Sequence, residues 1–159
     1  MQILSKQLVS EIEQQFLEYP RKVNALLPVL HLVQKELGYI SSEAIGEVAA
    51  LCEVPVSHVE GVVTFYTMYA REKRGKCYLG VCTNISCFIT GGVEILEKFE
   101  EMLGIHAGES TPDGKFFLEE VECLGACGFS PAVLVNEDYY EKVTPEQVEK
   151  IVSKFEKEG

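Results

Sequence analysis

The sequence predicts an α+β chain in which a helical N-terminal half is followed by a small sheet with helices packed against it. Three observations predict this. Apolar residues in 1–70 recur at three- and four-residue steps, the pattern of helices buried along one face. A polar, mostly basic segment, Arg71-Glu72-Lys73-Arg74-Gly75-Lys76, then interrupts them. Beyond it the period falls to two, as in a strand, before helical spacing returns. The expected division is a helical bundle over 1–72 and an α/β domain over 73–159.

Each element has a local reason. Ile3, Leu4, Leu8, Val9, Ile12, Phe16 and Leu17 form one stripe, and Tyr19-Pro20 ends it because the residue before proline avoids the α region. Val23, Leu26, Leu27, Leu30, Val33 and Leu37 form a second, with Pro28 tolerated in the first turn and Gly38 as the stop. Ser41 or Ser42 can cap a third helix carrying Ala44, Ile45, Val48, Ala49 and Leu51. Pro55 is expected at the first position of a fourth, running to about Thr64.

In the second half, Cys77, Leu79 and Val81 alternate with Tyr78, Gly80 and Cys82, predicting a strand. Val93, Leu96, Phe99 or Glu100, and Leu103 predict a helix, with Thr90 as its expected N-cap and Gly104 at its end. Thr111-Pro112-Asp113-Gly114 is a turn signal. Strands are expected over 116–121 and 132–136, and Asn136-Glu137-Asp138 turns the chain into another at Tyr139, Tyr140 and Glu141. Thr144-Pro145-Glu146-Gln147 matches a capping box, ahead of a helix that buries Val148, Ile151, Val152 and Phe155.

Composition narrows the function. With 159 residues and 47% hydrophobic side chains the chain can bury a core, which excludes a disordered acidic tail. Twenty-five acidic residues against 14 basic give a net charge of −11, which argues against nucleic acid as a partner. Residues 49–59 tolerate a helix–turn–helix reading. However, 41–70 contain Glu43, Glu47, Glu53 and Glu60 and no Lys or Arg, so a recognition helix there would repel phosphate. No apolar run approaches the roughly 20 residues that span a bilayer, so direct membrane insertion is not expected. Neither a secretory signal nor a transit peptide is visible, and the chain is expected to be soluble and intracellular.

In a reducing compartment, six cysteines read as ligands or reactive thiols before disulfides. Four form two close pairs, Cys82-Thr-Asn-Ile-Ser-Cys87 and Cys123-Leu-Gly-Ala-Cys127. Each pair begins where a predicted strand ends, so a sheet could bring both loops to one site. Gly125 lies within the second pair and Gly128 follows it, and both would let backbone N–H groups approach sulfur. Four thiolates suit zinc or an iron–sulfur cluster, and spacing leaves both open. A disulfide oxidoreductase would need C-x-x-C, which is absent.

The stretches Val81-Cys82-Thr83-Asn84-Ile85-Ser86-Cys87 and Cys123-Leu124-Gly125-Ala126-Cys127-Gly128-Phe129-Ser130-Pro131 closely resemble the [2Fe–2S] subunit of the NADH-oxidising module of respiratory complex I. Val62-Val63-Thr64-Phe65-Tyr66-Thr67-Met68-Tyr69 is similar to that family's signature after its helical region. The resemblance runs from about Arg21 to the end. It implies a helical bundle followed by a thioredoxin-like domain, with one [2Fe–2S] cluster held by Cys82, Cys87, Cys123 and Cys127. It also implies an electron-transfer role in an NADH:quinone oxidoreductase, a translocase of the respiratory chain. FMN and NADH would lie on a flavin-binding, NADH-oxidising partner subunit, and other peripheral-arm subunits would be neighbours. The implied location is cytoplasmic, peripheral to the inner membrane on its cytoplasmic side. Similar subunits serve NAD-linked hydrogenases and formate dehydrogenases, so that setting is the alternative. The chain itself offers no G-x-G-x-x-G after a strand and no G-x-x-x-x-G-K-[ST], hence no complete active site and no catalytic residue of its own.

The remaining candidates have plainer readings. Cys52 and Cys77 match no ligand position and read as core thiols. His31 reads as a packed or surface residue, and His58 and His106 have no assigned role. Phe65, Tyr66 and Tyr69 read first as core, and Glu119, Glu120 and Glu122 as a solvated strand edge. Pro131 precedes a strand, as the cis-proline does in thioredoxin-like folds, so the resemblance implies a cis Ser130–Pro131 bond.

Overall fold

Ser5 starts the first helix by accepting a hydrogen bond from the Leu8 N–H at 3.1 Å, and α1 runs Lys6–Phe16. One 3-10 turn, Lys22–Ala25, leads into α2, Leu26–Leu37, which ends at a left-handed Gly38. Of the two candidate caps, Ser41 is the one used. Its hydroxyl accepts from the Ala44 N–H ahead of α3, Ser42–Cys52. α4 spans Val56–Phe65 with Pro55 as its N-cap, one position earlier than expected. The computed structural model describes residues 3–158, and it divides into two compact units with the boundary between Lys73 and Arg74.

The first unit is a helical bundle. Leu8, Ile12, Val29, Leu30, Val33, Ala44, Val48, Val59 and Val63 from all four helices share one core. The Glu47 carboxylate accepts from the N–H groups of Ile3 and Leu4, which ties the chain start to α3. Cys52 lies in this core, and burial pushes its thiol pKa up to about 11 despite Lys22, so it stays neutral at physiological pH. Tyr69 is also buried, its hydroxyl donating to the Leu27 carbonyl at 2.9 Å. Phe65 and Tyr66 depart from the core reading and stand exposed, because α4 ends there and the chain turns before Tyr69 can pack. His31 is exposed and lies 5.2 Å from the Tyr69 ring.

The second unit is the α/β part. Its strands are β1 (Cys77–Cys82), β2 (Phe116–Val121), β3 (Val133–Val135) and β4 (Asp138–Tyr140), in the order β2-β1-β3-β4. β1 and β2 are parallel, and the other pairs are antiparallel. Two helices stand between β1 and β2. They are the short α5 (Ile85–Ile89) and α6 (Gly92–Leu103), and α7 (Pro145–Glu158) closes the chain. Ile95, Leu96 and Phe99 of α6 and Val148, Ile151 and Val152 of α7 share a core with Leu79, Val81, Leu118, Val133 and Val135. On the other face Tyr78 stacks on its register partner Phe117 at 6.2 Å, and the Arg74 guanidinium lies 4.4 Å over Phe117. That cover explains why β1 is buried nearly throughout rather than alternately.

Two local expectations change. Sequence spacing misses α5, which is too short to show a period. In consequence Thr90 ends α5 instead of starting α6, and its hydroxyl donates back to the carbonyls of Ser86 and Cys87. Gly91 is the N-cap of α6. At α7 only half of a capping box forms. Gln147 accepts from the Thr144 N–H, while the Thr144 hydroxyl bonds to Glu146. The Ser130–Pro131 bond is cis, as expected.

Candidate metal centre

The register of the parallel pair builds the site. Cys82, last in β1, lies opposite Val121, last in β2, so both cysteine loops leave the same end of the sheet. The Thr83 N–H donates to the Val121 carbonyl at 3.2 Å, and the Thr83 hydroxyl donates to Glu120 at 2.6 Å. On the other side the Cys82 N–H donates to the Ala132 carbonyl at 3.1 Å. The first pair is thus tied to β2 and to the chain just after Pro131.

Asn84 caps α5 through its side chain, and the helix carries Cys87 inward. Cys82 and Cys87 are 3% and 2% exposed and form a small apolar pocket with Ala132. Leu124 and Ala126, from between the second pair of cysteines, pack against that pocket. Cys123 and Cys127 are exposed, and Cys127 opens a 3-10 turn through Phe129. The site is therefore closed on the sheet side and open on the loop side.

Electrostatics link the two loops. Burial raises the Cys87 pKa, and the nearby Cys82 and Cys127 sulfurs raise it further, while a backbone hydrogen bond from Ala132 works the other way. A thiol whose ionisation is hindered in this way is stabilised as a thiolate by a cation beside it. The Gly125 N–H donates to the Cys123 sulfur at 3.3 Å, and the Cys82 sulfur contacts the Glu122 carbonyl at 3.7 Å. Among the described residues no three His, Cys, Asp or Glu side chains close on a single ion. A two-iron cluster has no such requirement, because each iron takes only two of the thiolates. The all-sulfur donor set fits that group.

The other cysteines and histidines stay apart from this constellation. Cys52 belongs to the first unit's core, and Cys77 to the core beneath the sheet. His106 is exposed beside Glu100, and His58 is exposed on α4. Glu119 pairs with Arg74 at 3.5 Å, and Glu120 and Glu122 are exposed on the edge strand and its exit. Sequence reading assigns no role to the apolar surface beside the cysteines. Ile85, Phe88 and Ile89 on α5 are 74%, 64% and 75% exposed, and Phe129 is half exposed.

The chain resembles known proteins in sequence and fold. The family model described as thioredoxin-like [2Fe-2S] ferredoxin matches residues 12–156. A subunit of the NADH-quinone oxidoreductase of Aquifex aeolicus is 39% identical over 150 residues, covering 94% of each chain. The HndA subunit of the NADP-reducing hydrogenase of Solidesulfovibrio fructosivorans is 38% identical, covering 96% of this chain and 90% of the other. In a crystal structure of an NAD+-reducing [NiFe]-hydrogenase, a similar fold covers 84% of this chain and 23% of that one, with a TM-score of 0.73 at 17% identity. With the match running through both cysteine pairs, this chain belongs to the thioredoxin-like [2Fe-2S] ferredoxin family.

Proposed function

We propose that this chain is an electron-transfer subunit of an NADH:quinone oxidoreductase, holding one [2Fe–2S] cluster on Cys82, Cys87, Cys123 and Cys127. The observation that carries the reading is the meeting of the two cysteine loops at the paired ends of β1 and β2. The cluster supplies one-electron storage, and the chain supplies the thiolates, a dry inner wall and an exposed outer edge. A redox partner is required because the sequence has no dinucleotide or phosphate-binding glycine motif. In this reading the partner is the flavin-bearing, NADH-oxidising subunit, in a complex with other peripheral-arm subunits on the cytoplasmic side of the membrane. No single described helix is long and apolar enough to cross a membrane. The two units divide the work, the bundle as a docking element and the α/β unit as the electron carrier. The hydrogenase relative supports a second setting, in which the same subunit serves an NAD(P)-linked hydrogenase.

Anaerobic purification tests the cluster. A red-brown protein with two irons and two sulfides per chain and a paramagnetic signal on reduction supports the proposal, while a colourless protein with stoichiometric zinc overturns it. Quinone reductase subunits co-purifying with the chain support the first setting, and hydrogenase subunits the second.

The α5 surface supports a partner at the open edge, since exposed apolar side chains there lose water only on association. Phe88→Asp is expected to weaken binding of the flavin subunit about tenfold or more, the loss typical of a central apolar contact. The cluster spectrum should be retained. Unchanged affinity in a binding titration would remove α5 from the interface.

A further inference from the structure

One peptide group in the second cysteine loop is held at both ends. Its N–H end, at Gly125, donates to the Cys123 sulfur at 3.3 Å. Its carbonyl end, at Leu124, accepts from the Tyr139 hydroxyl at 3.1 Å. Tyr139 is the middle residue of β4, fixed opposite Leu134 in the β3–β4 ladder. The chain just after β4 adds two more bonds to the same loop. The Lys142 N–H donates to the Phe129 carbonyl at 2.8 Å and the Val143 N–H to the Pro131 carbonyl at 3.0 Å. The last hairpin thus braces the segment that carries Cys123 and Cys127, and Tyr139 is its side-chain contact at the sulfur end.

We propose that Tyr139 is a positioning residue that orients the Leu124–Gly125 peptide toward the Cys123 sulfur and thereby raises the reduction potential of the cluster bound there. This rests on the cluster assignment above. Gly125 has φ +75°, a left-handed conformation, and its surroundings are open. A loop so exposed needs an outside contact to hold that orientation. The phenol supplies it, and by polarising the carbonyl it also makes the N–H of the same peptide a better donor. An N–H directed at a cysteine sulfur offsets negative charge, and that charge grows by one unit on reduction, so the contact favours the reduced state. The acidic side chains Glu120 and Glu122 oppose the added electron, which makes this local donor matter more.

The test is redox titration of the holoprotein, followed by visible circular dichroism and by the paramagnetic signal. Tyr139→Phe is expected to retain two irons per chain and to shift the midpoint potential to a more negative value. Tyr140→Phe is the neighbouring control. Its hydroxyl meets Lys154 and not the loop, and the potential should stay at the wild-type value. Replacing Tyr139 with 3-fluorotyrosine keeps the shape and strengthens the donor. It should shift the potential the opposite way. A loaded Tyr139→Phe protein with the wild-type potential overturns the proposal. If Tyr139→Phe fails to load, the fluorinated protein decides, and the absence of a positive shift overturns it. A wild-type chain that holds no [2Fe–2S] cluster defeats the underlying assignment, a result distinct from either of these.

Discussion

Replacing Cys87 by alanine is expected to eliminate the [2Fe–2S] cluster, with loss of its visible bands and of the reduced-state paramagnetic signal. Cys87 is the inward cysteine of the first pair and a ligand in the proposed site, 2% exposed and in the pocket shared with Cys82. Removing one thiolate from a four-thiolate set leaves an iron without its fourth ligand, and among the described residues no imidazole or carboxylate joins the pocket to replace it. The packing loss is small, because alanine keeps most of the buried volume of a cysteine. A loss of cluster would therefore report the missing ligand more than a collapsed core. Cys127→Ala should behave the same way from the exposed side. Cys52→Ala removes an equally buried thiol from the first unit's core and should leave the spectrum intact. Iron analysis and circular dichroism on the three variants check this. A Cys87→Ala protein with the full native spectrum would refute the ligand assignment.

Gly92→Ala carries the second large effect. A Cβ at this position would lie 2.6 Å from the Cys82 carbonyl oxygen and 2.9 Å from the Cys87 carbonyl oxygen. Both obstacles are backbone, and neither can rotate away. The Cys87 carbonyl also accepts from the Thr90 N–H and hydroxyl, which hold it in place. The start of α6 would have to move off the two inward cysteines, Cys82 and Cys87. Overpacking of this kind costs about 1–3 kcal/mol. For a domain of this size that is a fall in Tm of about 4–8 °C per kcal/mol. The cluster should also be lost faster on incubation with a chelator. Gly46→Ala provides the contrast. It lies inside α3 with nothing within 4 Å of the added carbon, and should stabilise by about 0.5–1 kcal/mol. Equal melting temperatures for Gly92→Ala and wild type would show that the α6 start yields easily.

The elements most readable in the sequence are those whose signals are local. The stripe from Val23 to Leu37 and the stop at Gly38 describe α2 to within a 3-10 turn, because burial on one face writes a period into consecutive residues. β2 lies at Phe116–Val121, and the late hairpin forms around Asn136, where turn residues punctuate apolar runs. The departures have two causes. A five-residue helix shows no period, so α5 goes unseen and Thr90 is assigned to the wrong helix. Phe65 and Tyr66 are apolar by composition, yet their exposure depends on where α4 ends.

By itself the sequence determined the cysteine spacing, the strand ends on which both pairs sit, and the two halves with different periods. These are properties of neighbours along the chain, dictated by side-chain chemistry and backbone stereochemistry. The tertiary structure decided which of those neighbours meet. The parallel register of Cys82 with Val121 brings the two loops to one end of the sheet. The turn of α5 buries Cys87 and leaves Ile85, Phe88 and Ile89 facing water. β4 places Tyr139 against a peptide fifteen residues earlier. Each of these contacts joins segments distant in sequence. No local pattern records them, because they follow from how the strands pair and how the sheet is packed.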